Sequence, residues 1–134
     1  MNRYKSREQA FCFIFEGMFG NRNLEEIIKN AKISGADEIS DFAQRVFLGV
    51  EKNTKKIEEI IENNLKKWRK ERLPRTTLAI LKLAVFELIF ESENPGGVVI
   101  NEAVELAKKF STTEDANYIN GVLSSIYKKT KENI

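Results

Sequence analysis

Apolar residues recur along this chain at the three- and four-residue spacing of a buried helical stripe, with few interruptions by proline or glycine. Phe11, Ile14, Phe15 and Met18 mark the first such face, which Ser6 is suited to cap and residues 17–20 to end. Leu24, Ile27, Ile28 and Ala31 predict a second, short helix that closes near Gly35. Ile39, Phe42, Ala43, Val46 and Val50 predict a third, with Glu38 and Asp41 near its start, where the helix dipole favours acids. Ile57, Ile60, Ile61, Leu65 and Trp68 predict a fourth.

Residues 78–90 differ in being apolar at nearly every position, which predicts a central helix covered on most sides. Asn94, Pro95, Gly96 and Gly97 then predict a loop. Ile100, Ala103, Val104 and Ala107 form a sixth stripe, widened by Val99, Leu106 and Phe110, and Ile119, Val122, Leu123 and Ile126 form a seventh. No internal repeat appears, and the short connections between stripes suit antiparallel packed neighbours. The expected fold is all-α: one compact domain, residues 1–134, of about seven helices.

Composition agrees with that picture. At 134 residues, 42% hydrophobic and 31% charged, the chain is long enough to hide a core without metals or disulfides. No apolar run approaches the ~18 residues of a membrane span, no leader-like start is seen, and the one cysteine cannot form an internal disulfide, so a cytoplasmic location is expected. The net charge is only +2, yet it is unevenly spread. Residues 66–75 carry six basic groups against Glu71, whereas residues 76–127 carry seven acids against Lys82, Lys108 and Lys109. Such a chain has either one basic and one acidic surface or simply solvated faces.

Catalysis is poorly supplied. The chain has no histidine, the commonest general base and metal ligand. Cys12, on an apolar helix, reads as a packed structural thiol. The glycines at 96 and 97 precede a helix but lack a Walker lysine and a preceding strand. No enzyme activity, metal or cofactor is expected. Binding is better supplied: Arg3 and Arg7 share a face if the first helix starts early, and Lys5 joins them from the start of the chain, a cluster suited to phosphates. Tyr4 and Tyr118 are candidates to stack on unpaired bases, Tyr118 being equally readable as a boundary core residue. Trp68 sits among Lys66, Lys67, Arg69 and Lys70, but its spacing from Ile61 and Leu65 makes a core anchor the better reading.

Three stretches together resemble the NusB family. They are Arg7 to Ala10 running into Phe13, Ile14 and Phe15; residues 68–72 followed by residues 79–88; and residues 99–110 followed by Tyr118, Ile119, Asn120, Gly121, Val122 and Leu123. In order and spacing they cover residues 3–128. The resemblance implies two perpendicular helical bundles divided before or near the fourth helix. It also implies a transcription antitermination factor that pairs with the small-subunit ribosomal protein NusE. That pair binds the single-stranded boxA element of ribosomal RNA operon transcripts, in contact with the transcription elongation complex. It implies RNA contacts from Arg3, Lys5 and Arg7 and from Glu114, Tyr118 and Asn120, with Tyr118 where phenylalanine is usual. Thr77 and Leu78 stand where the family often has Asp-Arg, and Lys82 where arginine is usual, which loses bidentate geometry. For the partner, the acidic half is the expected docking side, with Lys82 and Glu87 on the central helix near it, though either could equally pair internally.

Two alternatives remain at this point. A similar module fronts an RNA cytosine methyltransferase family, but this chain has no further segment to hold a cofactor. The other is a helical homo-oligomeric scaffold or regulatory protein without RNA binding; homodimers are compatible with the family reading as well.

Overall fold

The computed structural model describes residues 1–20, 23–65, 69–91 and 93–132. Among them are seven α-helices: α1 (Arg3–Gly17), α2 (Leu24–Ile33), α3 (Asp41–Lys52), α4 (Thr54–Glu62), α5 (Arg75–Val85), α6 (Gly96–Phe110) and α7 (Thr113–Glu132). No strand occurs among the described residues. Trp68, expected on the fourth helix, lies outside them.

α1, α2, α3 and α7 start where a short polar side chain satisfies an otherwise orphaned amide. Asn2 caps α1, its Oδ1 accepting from the Lys5 amide at 2.8 Å. Ser6, expected to be that cap, is instead buried one turn inside the helix, so α1 begins early. Asn23 caps α2 and Ser40 caps α3 in the same manner, at 2.9 and 3.1 Å. Thr112 accepts from the Asp115 amide at 3.0 Å ahead of α7. Beyond α2, Gly35 has φ +103°, a left-handed conformation that glycine takes without a Cβ clash.

The expected loop at residues 94–97 is shorter than the sequence suggested. Proline fixes its own φ for a helix entry, and α6 starts directly after Pro95. Gly96 is there for space: a Cβ would run into the Tyr127 ring of α7. A Cβ on Gly49 of α3 would likewise strike the Phe86 ring.

The helices fall into two groups. α1, α2 and α3 pack on one another, and α4, α5, α6 and α7 do the same, with α5 also meeting α1 and α3. A continuous buried cluster runs through both, from Ala10, Phe13 and Ile14 through Val46 and Phe47 to Ile80, Leu83, Leu106 and Leu123. α5 is apolar all round because neighbours cover every side: residues 79–88 are all buried. Each large side chain hidden there stabilises the fold by about 1.5–3 kcal/mol. After Val85 the helix widens into a π-helical turn, Phe86–Phe90, which carries Glu87.

Candidate nucleic-acid interface

Helix α1 presents a different chemistry on each side. Arg3 and Arg7, one turn apart, face α3 and the π-helical turn. Arg3 is exposed, and its guanidinium carbon lies 4.3 Å from the centre of the Phe42 ring, with Arg45 on the same ring at 5.6 Å. Arg7 is only 4% exposed. Its Nε donates to Glu87 Oε2 at 2.9 Å and its Nη2 to Oε1 at 2.9 Å, a forked pair inside the protein. Expected as a phosphate contact, Arg7 is therefore corrected to a structural group. A buried guanidinium requires a buried carboxylate, and each consumes the other.

The same geometry corrects both partner-contact residues. Glu87 is 2% exposed and held by Arg7, while Lys82 is 8% exposed with its Nζ 3.8 Å from Glu58 Oε2. Both side chains are held by partners within the protein and show little surface. The internal pairing that the sequence left open is the one adopted.

The next side of α1 carries Tyr4 and Glu8 toward the end of α6. Lys109 Nζ donates to both Glu8 oxygens, at 2.8 and 2.9 Å, and lies 5.9 Å from the Tyr4 ring and 5.4 Å from that of Phe110. The hydrogen bond to Glu8 pushes the Lys109 pKa above the ordinary lysine value. Lys5, exposed, lines a third side, a cleft of about 540 Å³ between α1 and α2. The basic start of the chain is thus spread around a helix, with Arg3 and Lys5 left open to solvent.

A row of aromatic rings continues from Lys109. Phe110 meets Phe11 at 5.0 Å between centres, Phe11 meets Phe15 at 6.0 Å, and Phe15 meets Phe19 at 5.0 Å. Arg75 closes the row, 4.6 Å over Phe19, with its Nη1 donating to the Met18 carbonyl at 3.2 Å. With Thr76 and Cys12 these rings line a groove of about 700 Å³, and Phe19 and Phe110 are 40% and 38% exposed. Exposed aromatics gathered in one groove are unusual on a surface with no docking role.

A second cleft, of about 530 Å³, lies between the approach to α5 and the start of α7. Arg72, Leu73, Pro74 and Thr77 form one wall, and Glu114, Asp115, Asn117 and Tyr118 the other. Glu114 is exposed. Tyr118 packs its ring against the core, half-buried, so the boundary-residue reading describes its ring better than an open stacking platform. Glu114 and Tyr118 meet here; Asn120 is exposed on α7 but does not line the cleft. The Tyr118 hydroxyl and Thr77 Oγ1 are both buried, and neither has a hydrogen-bond partner among the described residues.

The NusB family model matches residues 4–128. The chain belongs to the NusB family. The transcription antitermination protein NusB of Clostridium botulinum (strain Kyoto / Type A2) is 41% identical, over 94% of this chain and 99% of that one. That of Clostridium novyi (strain NT) is 36% identical, over 96% and 99%. Among solved structures, T. maritima NusB superposes with a TM-score of 0.85 at 29% identity, covering 100% of this chain and 99% of that one. A structure of the antitermination factors NusB and NusE in complex with double-stranded RNA superposes with a TM-score of 0.82 at 28% identity, covering 96% and 99%.

Within this NusB-family fold, Cys12 departs from its expected place. Its spacing on α1 put it with the core, but its thiol is exposed beside the aromatic groove and the α1–α2 cleft. Partial desolvation there, followed by the Glu8 carboxylate, pushes its pKa above the ordinary 9.0, against the pull of Lys109. Sequence reading missed Phe19 altogether, counted Arg72 and Arg75 only within the basic run of residues 66–75, and noted Thr77 only as a departure from the family pattern. Phe11, Phe15 and Phe19 do stand at helical spacing, but the same spacing equally describes a buried stripe, and only the third dimension shows it to be half open. Lys66 and Lys67, part of the expected basic stretch, lie outside the described residues.

Proposed function

We propose that this chain is a transcription antitermination factor that catalyses nothing itself. It binds single-stranded boxA-type RNA of ribosomal RNA operon transcripts jointly with a NusE-type ribosomal protein, as a single helical domain acting on the transcription elongation complex in the cytoplasm. The carrying observation is a pair of surfaces, the aromatic row that runs from Tyr4 and Lys109 to Phe19 and Thr76, and the cleft of Glu114 and Tyr118. Arg3, Lys5, Arg72 and Arg75 border them at intervals, supplying charge for phosphates, and the rings supply apolar area for a protein partner.

The division of labour follows from chemistry. Cations without a buried carboxylate are free to exchange counterions for phosphate, so Arg3 and Lys5 carry the RNA role and Arg7 does not. The aromatic groove takes the partner in place of Lys82 and Glu87, because desolvating rings on association is favourable whereas extracting a buried ion pair is not. The absence of histidine from the chain fits a binding rather than a catalytic role. No described helix is long and apolar enough to cross a membrane.

The test is a titration of a labelled boxA-type strand against the protein, with and without the NusE-type partner, at two salt concentrations. A duplex of the same sequence serves as control. The expected result is single-strand binding that the partner tightens and salt weakens. Self-association insensitive to salt, with no RNA binding under either condition, would assign the groove to a homo-oligomer instead.

A further inference from the structure

Three guanidiniums converge on one aromatic ring where α1 meets α3. Phe42, in the first turn of α3, is 7% exposed, and its ring centre lies 4.3 Å from the guanidinium carbon of Arg3, 5.6 Å from that of Arg45 and 5.9 Å from that of Arg7. The face of an aromatic ring attracts such cations, but three of them around one ring also repel each other. Two have their charge met elsewhere. Glu87 holds Arg7 inside the protein, and Glu91 accepts from Arg45 Nη1. Arg3 differs: its guanidinium makes no ion pair and no hydrogen bond among the described residues. Two acids share a shallow pocket of about 310 Å³ with it, and neither pairs with it. Glu38 takes the Met1 ammonium at 3.3 Å, and Asp41 stands in the first turn of α3, where the helix dipole favours a carboxylate. Arg3 is held by the ring alone.

We propose that Phe42 is a positioning residue for strand binding: its ring fixes the Arg3 guanidinium, whose unused N–H groups then meet a phosphate of the bound RNA. The inference rests on the RNA-binding reading above, which gives Arg3 its role, and adds what makes that contact effective. A long exposed side chain loses rotational freedom when a ligand immobilises it, and that loss weakens binding. A guanidinium already seated over a ring has lost the freedom beforehand. The seat does not consume its donors, because the ring attracts the cation without taking up an N–H edge, and the five N–H groups remain in the fork that matches a phosphate.

The seat itself is rigid. Phe42 belongs to the buried core that runs through both helix groups. Arg7 reaches the same ring but is tied to Glu87, so it does not compete for the phosphate. Lys5, the other open cation at the start of α1, contacts no ring among the described residues. The two open cations therefore differ in kind: Lys5 is a mobile charge, and Arg3 is an oriented fork.

The experiment titrates a labelled boxA-type strand of twelve nucleotides against the whole protein with the NusE-type partner present. The variants are Phe42→Met, which keeps an apolar side chain in the core, Arg3→Lys, which keeps the charge without the planar fork, and the two combined. Each single variant should bind the strand about two- to fivefold more weakly than the parent. The combination should be no weaker than about either single variant, because Phe42 acts only through Arg3. The salt slope should stay at the parent value in all three, since no charge is removed. Affinity for the NusE-type protein measured without RNA should also stay at the parent value.

Losses that multiply in the combined variant overturn the proposal, because Phe42 would then act through the fold at large. Arg3→Lys binding the strand as tightly as the parent overturns it too, and that variant leaves the core untouched, so it decides the matter even where Phe42→Met does not fold. If Phe42→Met loses the NusE-type protein and keeps the strand, the ring serves a protein contact and the proposal fails. If the parent binds no strand at all, the RNA reading falls and takes the positioning role with it.

Discussion

Among the polar groups shut away from water in the described residues, two pairs are treated in opposite ways. Arg7 and Glu87 are joined by a forked ion pair that satisfies both. Thr77 and Tyr118 carry hydroxyls that meet nothing among the described residues. The first pair ties α1 to the turn after α5 and is therefore architecture. The second belongs to residues at the cleft where α5 and α7 meet, but its two oxygens are as closed to solvent as the ion pair. Burial alone does not tell a satisfied group from an unsatisfied one; hydrogen-bond accounting does.

The largest effect is expected from removing half of the satisfied pair. Glu87→Ala leaves Arg7 buried without a counter-charge, and urea unfolding should show a loss of about 3–5 kcal/mol. A loss under 1 kcal/mol would mean that Arg7 escapes to solvent and that its exclusion from the RNA surface is wrong. Next in size is the groove between the two regions. Phe19→Ala should weaken partner binding roughly tenfold or more without touching the core, read by calorimetry with the NusE-type protein. Smaller still is the effect of Arg3→Ala with Lys5→Ala. Losing two phosphate contacts should reduce the slope of log affinity against log salt by about 1.4, with stability unchanged.

The unsatisfied pair gives the smallest stability change and one of opposite sign. Thr77→Val should leave the protein as stable as before or more stable, by no more than about 1 kcal/mol. A clear destabilisation would show that Oγ1 has a partner after all. Cys12 sharpens the picture of the α1 face rather than testing it. An exposed thiol should react with iodoacetamide in the native protein, but with a pH midpoint above the ordinary 9.0, because the raised pKa keeps the thiolate fraction low. Complete protection would return it to the core.

The helical faces were legible in the sequence because a buried stripe needs only local spacing, and the covered helix at residues 78–90 showed itself by apolar residues on all sides. What depends on distant positions was not legible. Arg3, Lys5 and Arg7 look alike along the chain. Only the arrival of Glu87 on the π-helical turn decides which of them is withdrawn from solvent. The helix start was misplaced for a related reason, since Asn2 and Ser6 are both good caps and the packing of Ser6 decides between them. Gly96 reads as a loop residue until the Tyr127 ring appears beside it. Tyr118 was singled out by its place near the start of the last helix, but Thr77 was noticed only as a departure from a family pattern. Their shared cleft is a property of how α5 and α7 meet.

The central claim is that the aromatic row of α1 and the cleft at the start of α7 together receive RNA and its protein partner. Amide hydrogen exchange of the protein alone and with the boxA-type strand and the NusE-type partner tests this most directly. Protection is expected at residues 2–5, from Phe15 to Phe19, and at residues 72–77 and 113–118, with α2 and α4 unchanged. Protection confined to α2 or α4, or none at saturating RNA and partner, would contradict it.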